Sequence, residues 1–115
     1  MDKQVIRNNN ARKFEQSARI HRGCLRFNRK NGYLHYLNQF ALCFDAFKNG
    51  EAFLTEAVLD TANLNERLRA DFVNLDTKTV VEIAVTEHPD ELKRKRVIWK
   101  RHGFEMVIYD ELSGH

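Results

Sequence analysis

Three carboxylates stand where carboxylates are costly. Glu56 lies in LTEAVL, Asp71 in LRADFV and Glu82 in VVEIAV, each inside a run that otherwise reads as a buried strand. An unpaired charge there is strongly disfavoured. Each acid therefore calls for a shared proton, a basic neighbour or a divalent cation. Oxygen-only ligation with room for water and phosphate suits Mg2+ or Mn2+. The plainer alternatives are an edge-strand carboxylate facing water for Glu56, and a salt bridge from Arg69 to Asp71.

The elements that must position these acids follow from periodicity. YLHYLNQFALCFDAFKNG repeats Tyr33, Leu37, Phe40, Ala41, Phe44 and Phe47 at three- and four-residue intervals, which predicts a helix with one broad apolar face. That face is expected to form core or a dimer interface. Lys48-Asn49-Gly50 supplies the stop, a cation in the last turn with glycine beyond. Three strands are expected next, over 52–59, 68–75 and 79–85, the last two joined at Asp76-Thr77. Pro89 opens a helix over 90–102 that Gly103 ends, and 104–110 is the last strand. The predicted architecture is α/β, with a mixed sheet flanked by helices.

Counting outward from a two-residue turn at Asp76-Thr77 pairs Val73 with Val80, Phe72 with Val81, and Asp71 with Glu82. Paired residues have Cβ atoms roughly 4.5–5.5 Å apart. Strand alternation would put both acids on one apolar face, like charge against like charge.

At 115 residues, with 43% hydrophobic and 30% charged, the chain fits one globular domain rather than a disordered tail. No run of 18 apolar residues exists, and the basic start is not followed by an apolar stretch, so the expectation is no membrane and a cytosolic location. Residues 1–30 carry nine Lys and Arg against Asp2 and Glu15, leaving the other 85 residues at a net −4. This predicts a basic N-terminal helical arm over 1–32, with its helix over 11–29, ahead of a core over 33–110. Such a charge division suits a polyanion, although a solvated basic helix has the same composition. The five histidines show neither HExxH nor finger spacing, and Cys24 and Cys43 are isolated and expected to be reduced.

Glu56, the Arg69-Ala70-Asp71 run and Glu82, set in the order helix, three strands, helix, strand, resemble the PD-(D/E)XK nuclease superfamily. That superfamily includes restriction endonucleases and archaeal Holliday-junction resolvases. The resemblance implies a restriction endonuclease-like αβββαβ core, with Glu56, Asp71 and Glu82 holding Mg2+ or Mn2+ for phosphodiester cleavage. It also implies DNA as partner and a homodimer. Where the superfamily has lysine, two residues after Glu82, this chain has Ala84. Some members carry the basic residue on the following helix, which makes Lys93 and Lys95 the candidates. Glu87 could instead add an acidic ligand, or the site could be inactive and serve only to bind nucleic acid or a protein. Arg19, Arg22, Arg26, Arg29, Lys30, Arg69, Arg94 and Arg96 are the expected nucleic-acid contacts.

Overall fold

The computed structural model describes residues 2–84 and 88–110, and only the backbone of Ala84 and Asp110. The N-terminal segment forms α1 (Lys3–Ala11) and the short α2 (Gln16–Arg19). Then follow α3 (Tyr33–Lys48), β1 (Phe53–Val58), β2 (Arg69–Asn74), β3 (Thr79–Ala84), α4 (Pro89–Arg101) and β4 (Glu105–Asp110). The strands lie in the order β1-β2-β3-β4, the first two pairings antiparallel and β3–β4 parallel. The molecule is thus α/β, a four-stranded mixed sheet flanked by helices.

The caps explain why the helices begin and end where they do. Asp2 accepts a hydrogen bond from the Gln4 N–H at the head of α1 (3.1 Å), removing one orphan donor. In α4, His88 accepts from Asp90 N–H, Pro89 occupies the first turn, and Asp90 and Glu91 complement the helix dipole. Gly103 then turns the chain at φ +92°, a conformation that penalises a side chain.

Two clusters of side chains sandwich the sheet. On the α4 side, Leu54, Val73, Val80 and Met106 pack against Ile98 and Trp99 and against Ala11, Phe14 and Ala18 of the N-terminal segment. Phe14 meets Trp99 and Phe104 with ring centroids 5.9 and 5.3 Å apart. On the α3 side, Phe53, Phe72 and Val81 meet Cys43 and Ala46 in a smaller cluster.

Three expectations are corrected here. The helix over 11–29 is reduced to the four residues of α2: Phe14 leaves α1 to form a β-bridge with Leu59, and burying its ring in the core outweighs continued helix. The chain then runs along the free edge of β1, where Gly23 N–H donates to the Phe53 carbonyl and Arg26 N–H to Thr55 Oγ1. The turn between β2 and β3 spans four residues, Leu75–Lys78, because Asn74 Oδ1 accepts from both Asp76 and Thr77 N–H. Its register is nevertheless the one counted from the sequence, with Val73 opposite Val80 and Phe72 opposite Val81.

The third correction concerns α3, and only the first of the two alternatives for its apolar face. The stripe is not core: Tyr33, Leu37, Phe40, Phe44 and Phe47 are all exposed. The buried residues are His35, Asn38, Gln39, Cys43 and Ala46. A helix turned this way has lost hydrophobic burial, so its inner face must meet groups that need polar partners.

Candidate metal centre

Those groups are Glu56 and Asp71. The pairs on either side, Thr55 with Phe72 and Ala57 with Ala70, set these two acids opposite each other, but the ladder skips them. Leu54 and Ala57 both belong to the α4-side core, as do Val73 and Ala70, so alternation slips by one residue on each strand. Glu56 absorbs the slip at φ +47°, a region a side chain rarely adopts. The result turns both carboxylates toward α3.

There His35 Nε2 lies 3.6 Å from Asp71 Oδ1 and 3.9 Å from Glu56 Oε2. These three side chains offer ligand atoms that all fall within 4.8 Å of one another. Gln39 Nε2 donates to Glu56 Oε2 (2.9 Å) and to the Asp71 carbonyl (2.7 Å), which ties α3 across the skipped pair. Asn28 and Asn31 donate to Glu56 Oε1 at 3.2 and 3.3 Å. Tyr36 fixes this loop by hydrogen bonding to the Asn28 backbone. Asp71 Oδ2 accepts from Ile83 N–H at 2.8 Å, so the carboxylate takes a β3 donor just beyond the last ladder pair, Phe72 with Val81.

Glu82 has a different address. It remains in step with Val80 on the α4 side, and its Oε1 lies 3.2 Å from Lys95 Nζ. The like-charge confrontation counted from the register is thereby avoided, because the two acids turn to opposite layers. Lys95 and Lys93 part as well. Lys95 reaches the buried acid, whereas Lys93 is exposed on a shallow surface with Asn63, Asp90 and Arg101. Glu87 lies outside the described residues, and so does the side chain of Ala84.

A hard cation holds oxygen ligands at about 2.1 Å, so neighbouring ligands stand about 3 Å apart. The two separations from His35, 3.6 and 3.9 Å, come close to that spacing, and the third lies within 4.8 Å. One orphaned atom lies beside them: Gln39 Oε1 is buried without a hydrogen-bond partner among the described residues. The residues present therefore fit a divalent ion. Imidazole in place of a third carboxylate shifts the preference from Mg2+ toward Mn2+ and its neighbours. Sequence reasoning passed over His35 because its only test was motif spacing. The usable signal was the run His35, Asn38, Gln39, a polar stripe at helical period inside an apolar helix.

The predicted nucleic-acid contacts divide among three places. Arg26, Arg29 and Lys30 flank Asn28 and Asn31, the loop that holds Glu56, and Arg69 lies two residues from Asp71 along β2. Arg22 donates to Asn8 Oδ1, and Arg19 is partly buried on α2, so this pair serves the N-terminal packing. Arg94 is held by Glu91 and the Asn65 carbonyl; its guanidinium keeps the Glu91 carboxyl below the usual range. Arg96 lines an open groove with Lys100 and the edge strand β4.

Among the described residues, no helix is long and apolar enough to cross a membrane. Comparison of the chain with protein-family models, with curated proteins and with solved structures finds no match.

Proposed function

We propose that the protein is a metal-dependent endonuclease that hydrolyses phosphodiester bonds in DNA, with a restriction endonuclease-like αβββαβ core of the PD-(D/E)XK type. The observation that carries this reading is the His35–Glu56–Asp71 cluster, set where two strands skip a pair, with Arg26, Arg29 and Lys30 in the same loop as its neighbours Asn28 and Asn31. A bound Mn2+ or Mg2+ would polarise the scissile phosphate and lower the pKa of an attacking water. The chain supplies the rest. Gln39, Asn28 and Asn31 orient Glu56, Ile83 N–H orients Asp71, and the basic residues of the Asn28–Asn31 loop would hold the phosphate backbone.

Incubation with supercoiled and branched DNA, with Mn2+ or Mg2+ against EDTA, tests the proposal. Cleavage that needs metal and disappears in both Asp71→Ala and His35→Ala is the expected result. Full activity in Asp71→Ala, or no cleavage of any substrate, overturns it.

A second reading is a nuclease-fold protein that binds nucleic acid or a protein without chemistry. The Lys95–Glu82 pair favours it, because that lysine is already engaged by an acid on the far side of the sheet from His35. It predicts salt-sensitive DNA binding that is unchanged by EDTA and by Glu82→Ala.

A further inference from the structure

We infer that α3 is the self-association surface of this protein, and that two copies pack α3 against α3 in antiparallel fashion about a two-fold axis near Phe40. The argument begins with area. Phe27, Tyr33, Leu37, Phe40, Phe44 and Phe47 are between 47% and 80% exposed and belong to one helix and the strap beside it. At about 200 Å2 per side chain they present roughly 750 Å2 of apolar surface. The largest patch on an ordinary monomer is about 300–600 Å2. A stable interface takes about 800 Å2 from each partner, which is the area on offer.

Symmetry chooses the occupant. The stripe runs the whole length of a 16-residue helix, with Phe40 near its middle. An antiparallel copy therefore meets the same residues in reverse order, as an isologous interface requires. It also sets each helix N-terminus beside the partner's C-terminus, so the dipoles attract. The ends are complementary in shape. An open groove of about 510 Å3 lies beside the C-terminal half of α3, between Phe40, Phe44 and Phe47 on one side and Leu25 and Phe53 on the other. Tyr33, 77% exposed at the opposite end, is the knob that the two-fold brings to it. Phe40 and Phe44 already stack on each other, 6.0 Å between centroids, which gives the interface a preformed centre. His35 and Gln39 project from the other side of the same helix, so pairing leaves both metal clusters uncovered.

This inference does not depend on the nuclease reading and is tested without activity. Sedimentation equilibrium of the full chain over the micromolar range should show a monomer–dimer equilibrium. Phe40→Glu would place a charge on the axis and should weaken dimerisation at least 100-fold, with an unchanged circular dichroism spectrum because the residue is exposed. Tyr33→Ala, which only empties the groove, should weaken it about tenfold. A chain that stays monomeric throughout overturns the inference, as does a dimer that survives both Phe40→Glu and Leu37→Lys. A monomer whose stripe instead binds single-stranded oligonucleotides or anionic vesicles, with loss of that binding in Phe40→Glu, overturns it too.

Discussion

The two layers that cover the sheet are built on opposite terms. Under α4 the interior is mostly apolar, with Phe14, Trp99 and Phe104 interlocked edge to face or tilted and the Lys95–Glu82 pair on the same side of the sheet. Under α3 the contact is partly polar: His35, Asn38 and Gln39 lie where leucines would be expected, and the leucines and phenylalanines look outward. The first layer supplies the stability of the domain. The second gives up burial in exchange for a place where two carboxylates can share a histidine. Buried polar groups are tolerated only when they are hydrogen-bonded, and Gln39, Asn28 and Asn31 meet that condition for Glu56.

The sharpest way to break this contrast is to empty the apolar layer. Phe14→Ala removes a fully buried ring from the junction of α4, β4 and the N-terminal segment. It should cost about 3–5 kcal/mol in urea unfolding, a large part of what a domain of this size holds. A loss under 1 kcal/mol would show that the layer is looser than described.

A smaller effect probes a buried charged contact on the α4 side. Lys95→Met removes the ammonium beside the buried Glu82 carboxylate and should cost about 3 kcal/mol. Adding Glu82→Gln removes the carboxylate charge as well and should restore most of that loss. If the double variant is no better than the single, the pair is not the source of the cost.

The smallest effect concerns the hairpin tip. Asp76 accepts from Arg7 Nε at 2.6 Å and Nη2 at 2.8 Å, which ties α1 to the β2–β3 turn. The Arg7 hydrogen bonds hold its carboxyl below the usual range. A carboxylate depressed in the folded state stabilises above its unfolded value, about 3.9, and that contribution fades as pH falls through the folded value. Asp76→Asn should therefore cost about 1 kcal/mol at neutral pH, and the gap to wild type should close below about pH 4. A gap independent of pH would mean the contact works through shape rather than charge.

Much of this arrangement could be read from the residues. The β2–β3 register follows from placing the turn at Asp76-Thr77, since a four-residue loop around the same centre leaves Asn74 with Thr79, Val73 with Val80 and Phe72 with Val81. The span of α3 and the start of α4 follow from Lys48-Asn49-Gly50 and from Pro89. The N-terminal helix could not be placed, because the bridge of Phe14 to Leu59 is a contact across 45 residues, and no local propensity announces it. The site was legible only in part. Strict alternation puts Asp71 and Glu82 on one face, and the slip at Glu56 and Asp71 undoes that. Orientation misled in α3 for a related reason. A period shows that a helix has two faces but not which one the sheet will take. Here the carboxylates on the sheet selected the polar one.

The burial of Cys43 has a practical consequence. Desolvation pushes its thiol up to about 12, so at neutral pH it is protonated as well as enclosed. Cys24, the other cysteine of the chain, is exposed on the strap beside β1. A maleimide or nitroxide reagent therefore has one address on the native protein, and that address sits next to Gly23 and Leu25 at the edge of the α3 groove. The molecule carries its own labelling handle, already placed to report a distance between two copies without any engineered cysteine.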